Sequence, residues 1–462
     1  MKTQPRFSTI TGALPLVIIL LTSVVFFSCK MEQKPIPRPT AVTHPEWSRN
    51  AVIYEVNIRQ YTPEGTFKAF EQHIPRLKEM GVDILWLMPV NPIGEKNRKG
   101  TLGSYYSIRD YMAVNPEFGT MEDLKSLVAK AHENGMKVII DWVANHSSWD
   151  NPLITEHPEW YVKDSAGNIV APVPDWTDVA DLDYSQPGLR NYMTNALLFW
   201  IREADIDGFR CDVAGMVPVD FWNKAVPELK KVKHVFMLAE WETPEMHDTA
   251  FDMTYSWELY KVLKGIYKGE QTADRIDSVL AKDDTTYSPD AYRMLFTTNH
   301  DENSWNGTDA ELFGEAFRTF AALTFMLPGM PLIYSGQEAT LNKRISFFEK
   351  DTIRWDGPSL VPFYTGLIRI RTENKALASG TAGGKLVRIP SGDDQKVYAF
   401  TRESEGNLVL AVFNLSGQPR EAKLAGIRSG AYENLLAKTK EELNGKTVLS
   451  LSPWEYRIYV KE

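Results

Sequence analysis

The sequence predicts an α/β fold. Its main body is a (β/α)8 barrel of the TIM type, with a short inserted subdomain after the third strand and a C-terminal antiparallel β-sandwich. Three observations predict it. Eight short apolar runs, at residues 51–56, 83–90, 137–143, 207–213, 235–241, 251–257, 293–300 and 330–336, alternate with amphipathic stretches. Most runs are dense in Val, Ile, Leu, Met and Phe without strict alternation, as parallel strands covered on both faces are. Beyond residue 385 the rhythm changes to short alternating segments such as 396–402, 408–414 and 456–461, as in an antiparallel sandwich. A doubly wound open sheet is the competing fold. No G-x-G-x-x-G or phosphate-binding loop follows the first run, which counts against its nucleotide-binding form.

The chain opens on an address. Lys2 and Arg6 precede an apolar run over residues 10–27 that ends Phe26-Phe27-Ser28-Cys29. A charged segment, an apolar segment and a small residue form a secretory signal. The run is short for a membrane span and contains Thr11, Gly12 and Pro15. Ser28-Cys29 resembles a bacterial lipobox, so residues 1–28 are read as a signal peptide and Cys29 as the lipidated first residue. Residues 29–46 are polar and proline-rich, like a semi-rigid tether. The expected location is the cell envelope, with the protein exported and held to a membrane by lipid.

Residues 47–384 form the predicted barrel. Phe67, Phe70, Ile74, Leu77 and Met80 recur at helical spacing, and Gly81 follows as a C-cap. Leu124, Leu127, Val128 and Ala131 repeat the pattern before Gly135; residues 189–206 and 311–327 read as longer helices. About residues 147–186, rich in Trp, Pro and Asp and without periodicity, are the inserted subdomain. Residues 385–462 are the C-terminal domain.

Composition narrows the function. A chain of 462 residues exceeds one compact core. Net charge is −9 with dispersed acids, which argues against a nucleic-acid surface. Two cysteines, Cys29 and Cys211, cannot be a disulfide framework. Cys211 lies in a predicted strand and reads as an inert buried thiol.

In such barrels catalytic groups stand at the C-terminal ends of strands. Those ends carry Asp141-x-x-x-Asn145-His146, Gly208-x-Arg210-x-Asp212, Glu240 and Asn299-His300-Asp301. Retaining glycosidases need one carboxylate as nucleophile and one protonated carboxyl as acid, which neighbouring strand ends can supply.

With these motifs in this order, the chain resembles the α-amylase family, glycoside hydrolase family 13. Asp181 in Val-Ala-Asp-Leu-Asp and Tyr106 in Gly-Ser-Tyr-Tyr-Ser extend the likeness, which spans nearly all of residues 47–462. The resemblance implies that Asp212 is the nucleophile and Glu240 the general acid/base. It implies that Asp301 binds hydroxyls of the distorted sugar and that Arg210 keeps Asp212 ionised. His146 and His300 would bond sugar hydroxyls, and Tyr106 would form a stacking floor. Asn145 and Asp181 match calcium-ligand positions, so Ca2+ is the implied metal; no organic cofactor is expected. Gly215-Met216 stands where many members carry Lys-His, beyond the nucleophile. The implied activity is cleavage of α-1,4 bonds in starch, glycogen or maltooligosaccharides. A transglycosylase with the same residues and a non-catalytic glucan-binding protein are the alternatives. Asp141 reads as structural. Trp149, Trp160, Trp176 and Trp305 are candidate sugar platforms for which packing is the competing role.

Overall fold

Eight parallel strands close into a barrel in a computed structural model that describes residues 42–462. Strands β1 (Ile53–Val56), β2 (Ile84–Leu87) and β3 (Lys137–Trp142) come first. β4 (His146–Ser148) and β5 (Val179–Asp181) then pair antiparallel outside the barrel, in the inserted stretch. The barrel resumes with β6 (Gly208–Cys211), β7 (Phe236–Ala239), β8 (Met253–Tyr255), β9 (Tyr292–Leu295) and β10 (Met330–Tyr334). It closes through β1, where Ile53 stands opposite Ile84 of β2 and Leu332 of β10.

Each of the eight predicted runs holds one barrel strand, but several strands stop early. Pairing ends at Leu87, Cys211, Ala239 and Leu295. The next residues leave the ladder and turn polar groups onto the rim, which is why Asp212, Glu240 and Asn299–Asp301 lie just past the strands rather than in them.

Two predicted helices are each broken. Residues 67–80 fold as Phe67–Glu71 and Ile74–Met80, because Pro75 has no N–H to continue the ladder; Gly81 closes the second helix at φ 100°. Residues 311–327 fold as Asp309–Phe313 and Phe317–Met326, interrupted at Gly314, where φ is 49° and a Cβ would lie 2.1 Å from the Tyr267 hydroxyl. The helix predicted over 189–206 is Pro187–Ala204, closed by Asp205 in the left-handed region.

The C-terminal region is an antiparallel domain. β11 (Lys385–Arg388), β12 (Val397–Ser404), β13 (Asn407–Asn414), β15 (Gly430–Asn434), β16 (Thr439–Leu443) and β18 (Tyr456–Lys461) form one six-stranded sheet. β14 (Arg420–Lys423) and β17 (Val448–Leu451) form a second, two-stranded one. Period-two alternation buries the large sheet on both faces. Leu408, Leu410 and Val412 join a core with Ala422, Leu449 and Leu451 of the small sheet. Val409, Ala411 and Phe413 face the barrel's own core. Arg402 of β12, fully buried, donates to the carbonyls of Gly384, Met326, Leu327 and Ala378. That guanidinium joins the sheet to the end of the barrel helix Phe317–Met326.

The end of the predicted tether is docked. Val42 is buried, and His44 stacks on Tyr292 at 4.0 Å and bonds Asp252 at 2.8 Å. These partners lie at the N-terminal ends of β8 and β9, the end of the barrel opposite the rim. Residues 1–41, with Cys29 and the signal-like run, lie outside the described residues. Among the described residues no helix is long and apolar enough to cross a membrane.

Candidate active site

Gly208 opens the motif that carries the central groups, and only glycine fits there. A Cβ would lie 1.9 Å from the carbonyl oxygen of Phe236 on the neighbouring strand. That close approach seats β6 against β7 and brings Arg210 and Asp212 beside Glu240. Arg210 is fully buried. Its Nη1 donates to Asp212 Oδ1 and to Asp141 Oδ1, each at 2.9 Å. Its Nη2 lies 3.0 Å from Glu240 Oε2 without hydrogen-bond alignment, so that contact is charge to charge. Its Nε donates to the Tyr255 hydroxyl at 3.2 Å. One guanidinium thus draws together the two carboxylates that a double displacement uses.

Val213, next to Asp212, sits at φ 35°, a costly conformation for a β-branched residue. Its N–H points at Glu240 and donates to Oε2 at 2.8 Å. The strained turn after Asp212 therefore orients Glu240.

Tyr106, His300 and Asp301 complete the rim. The Tyr106 hydroxyl is 2.7 Å from His300 Nε2 and donates to Asp141 Oδ2 at 3.1 Å. His300 Nε2 lies 3.3 Å from Asp301 Oδ2, and Nδ1 lies 2.5 Å from Glu55 Oε1. Tyr106 stacks on His300 and on Phe347. His146 is buried beside Trp176, at 5.4 Å between rings. Tyr106, His146, Trp176, Asp212, Glu240, Asp301 and Trp305 all line one cleft of about 590 Å³.

Electrostatics separate the two central carboxylates. Burial pushes Glu240 up; Arg210 opposes this and the charge of Asp212 reinforces it, leaving the group at about 7. Burial also raises Asp212, to about 6, against the pull of Arg210. Asp212 accepts a direct, aligned hydrogen bond from that guanidinium and Glu240 does not. When the two share one proton, it therefore resides on Glu240. Burial alone would lower His300, but Asp301 and Glu55 overcome it and hold the imidazole well above its ordinary value. The cation in turn keeps Asp301 below the usual carboxylate range despite burial. The site thus offers one ionised carboxylate beside the guanidinium, Asp212, one protonated carboxyl, Glu240, and a second ionised carboxylate, Asp301. His146 is pushed down to about 4 by burial and is neutral near pH 7.

Asp141 holds Arg210 and Tyr106 and also accepts from Trp86 Nε1 at 3.3 Å. The structural reading of that residue stands. Trp149 donates to the Thr177 carbonyl, and Trp160 stacks on His157; neither lines the cleft. Cys211 is buried and its thiol is pushed up by burial, as an inert group. Sequence reasoning missed Glu55, a lone acid in an apolar strand, and Lys99, Phe347 and Phe348, which lie on aperiodic loops. Asn145 and Asp181 adjoin, since the Asn145 carbonyl accepts from Leu182 N–H at 3.1 Å. Trp241 covers Gly215, the first residue of the departing segment.

A TIM barrel whose rim carries this carboxylate pair around a buried arginine presents the pair of groups that retaining glycosidases use. Residues 41–168 and 173–354 match the family described as Alpha amylase, catalytic domain, and residues 388–458 match Maltogenic Amylase, C-terminal domain. The chain belongs to the α-amylase family, whose retaining chemistry on α-1,4-glucans ends in hydrolysis or glycosyl transfer. It is 29% identical over 396 residues to alpha-amylase MalA of Haloarcula japonica, covering 81% of this chain and 57% of that protein's length. It is 27% identical over 443 residues to alpha-amylase 2 of Dictyoglomus thermophilum, covering 85% and 73%. The crystal structure of an alpha-amylase from Lactobacillus plantarum superposes at TM-score 0.82, with 34% identity over 90% of this chain and 100% of that one. That of the noncanonic maltogenic alpha-amylase AmyB from Thermotoga neapolitana also superposes at 0.82, with 32% identity over 89% and 98%.

Proposed function

We propose that the protein is a retaining hydrolase of α-1,4-glucosidic bonds in maltooligosaccharides and starch- or glycogen-type glucans. One observation carries the reading: Asp212 and Glu240 share a single buried guanidinium in a cleft whose aromatic walls suit sugar rings. Asp212 Oδ attacks the anomeric carbon as the glycosidic C–O bond breaks, and Glu240 gives its proton to the departing oxygen. Glu240 then takes a proton from water, which attacks the anomeric carbon and frees Asp212. Asp301 accepts hydrogen bonds from the distorted sugar, His146 and His300 bond its hydroxyls, and Tyr106 forms its floor. Chromatography of products from amylose, pullulan, cyclodextrins and panose tests the reading. Hydrolysis to α-configured maltooligosaccharides is expected. Transfer products dominating at low substrate would make the enzyme a transglycosylase.

Calcium binding at Asn145 and Asp181 belongs to this proposal. The two residues adjoin, and the half-buried Asp181 has no ion-pair partner among the described residues; burial raises it to about 6. Hard oxygen donors of this kind suit calcium. Among the described residues no three His, Cys, Asp or Glu side chains cluster to hold a metal, so backbone carbonyls and water would complete the shell. A cation there would fasten the inserted subdomain to the end of β3. Chelation should lower the melting temperature and calcium restore it; no shift, with no metal in the purified protein, counts against the site.

Export and lipid attachment at Cys29 complete the proposal, supported by the signal-like run before it. Fatty-acid labelling of the mature protein that Cys29→Ala abolishes is the expected result; soluble secretion of the unaltered chain would contradict it.

A further inference from the structure

The cleft is walled at one end by a strap. The loop after β2, residues 94–105, is tied to loops on both of its sides. Lys99 Nζ donates to the Asp175 carbonyl at 2.6 Å and pairs with Asp178 Oδ1 at 3.1 Å. Both aspartates belong to the inserted subdomain and line the cleft. Towards the other side, Leu102 N–H donates to the Phe348 carbonyl at 3.0 Å, and Thr101 donates to Glu349 through its N–H at 2.9 Å and through its side-chain hydroxyl. Arg59 fixes the loop from below through the carbonyls of Leu102 and Gly103.

The barrel order shows which end this is. β2 and β10, the strands before the strap and before Phe347 and Phe348, flank β1. β7, which delivers Glu240, stands across the barrel from β1. Glu240 protonates the departing oxygen, so it marks the leaving-group side, and the strap lies on the glycone side. The Asp178 side chain is 7% exposed, and opening the strap would strand that buried carboxylate without its cation.

We propose that the strap closes the glycone end of the cleft, so that the enzyme releases short units from non-reducing chain ends, with Lys99 as a specificity-determining residue. This rests on the α-1,4-hydrolase reading. Tyr106, Trp176, Phe347 and Phe348 supply aromatic faces for a short glycone. The Lys99 ammonium and Asp178 carboxylate present a donor and an acceptor to the hydroxyls of the terminal sugar. A chain continuing past that sugar meets the tie between them.

The test compares maltoheptaose bearing a fluorophore at its reducing end, with the non-reducing glucose either free or blocked by a 4,6-ethylidene group. The wild-type enzyme should shorten the free substrate and cleave the blocked one at least about tenfold less efficiently in kcat/KM. Lys99→Ala should raise the blocked-to-free ratio by about tenfold, and Thr101→Val, which loosens the other attachment, should raise it less. Equal wild-type kcat/KM on both substrates would overturn the proposal, as would an unchanged ratio in a folded Lys99→Ala variant. The wild-type comparison stands even if that variant fails to fold. Failure to cleave either substrate would overturn the hydrolase reading and this inference with it.

Discussion

A single guanidinium sets the division of labour at the residue scale. Arg210 bonds Asp212 in alignment and touches Glu240 only by charge, so Glu240, raised by burial to about 7, keeps its proton while Asp212, the proposed nucleophile, is ionised. The sign of the pH dependence follows. In the proposed mechanism the active form needs Glu240 protonated, so kcat/KM on a glucan should fall as pH rises through about 7, and fall again on the acid side as Asp212 is protonated near 6. Those two apparent values belong to the coupled pair. A leaving group that needs no proton removes the alkaline limb. Glu240→Gln acting on α-glucosyl fluoride should glycosylate at a rate flat above pH 7, and a persisting alkaline fall would assign that limb to another group. The motif residues were legible because their spacing is local to strand ends. Glu55 was visible only as an acid in an apolar strand; its pairing with His300 joins positions 245 apart in the chain, which no local pattern encodes.

Element geometry then places those residues. β6 lies so close to β7 that Gly208 has no room for a side chain, and its φ of 156° also disfavours one. Gly208→Ala must push β6 off the Phe236 carbonyl, so it should cost about 4 kcal/mol or more in denaturant unfolding and abolish activity by moving Arg210. A stable, active Gly208→Ala variant would contradict the packing described. The eight strands were readable from sequence because burial on both faces writes dense apolar runs. Their ends were not, since the ladder stops where polar rim residues begin. Breaks at Pro75 and Gly314 were local signals that the helical periodicity of neighbouring residues masked. The loops that build the cleft walls, residues 94–105 and those carrying Phe347 and Phe348, carry neither period, and distant partners fix them.

At the scale of the whole molecule, one buried guanidinium ties the C-terminal sheet to the barrel, beside the apolar contacts of Val409, Ala411 and Phe413. Arg402, buried with no carboxylate partner in ion-pair range among the described residues, satisfies carbonyls from the barrel's last helices and from the loop entering the C-terminal sheet. Burial, reinforced by the charge of Arg371, lowers its pKa to about 9. Arg402→Met fills the volume but leaves four carbonyls unpaired, so it should destabilise by about 3 kcal/mol while leaving KM for short substrates near wild type. A variant as stable as the parent would mean that the guanidinium contributes no net stability. The assignment of Asp212 as nucleophile is tested most directly by trapping the glycosyl-enzyme. Glu240→Gln given α-glucosyl fluoride lets Asp212 Oδ displace fluoride from the anomeric carbon and then strands the ester, because no base activates water. Mass spectrometry should show the intact protein gaining one glucosyl group, located to the peptide containing Asp212, and azide should discharge it as the α-configured glucosyl azide. An adduct on any other residue, or a β-configured azide product, would contradict the mechanism.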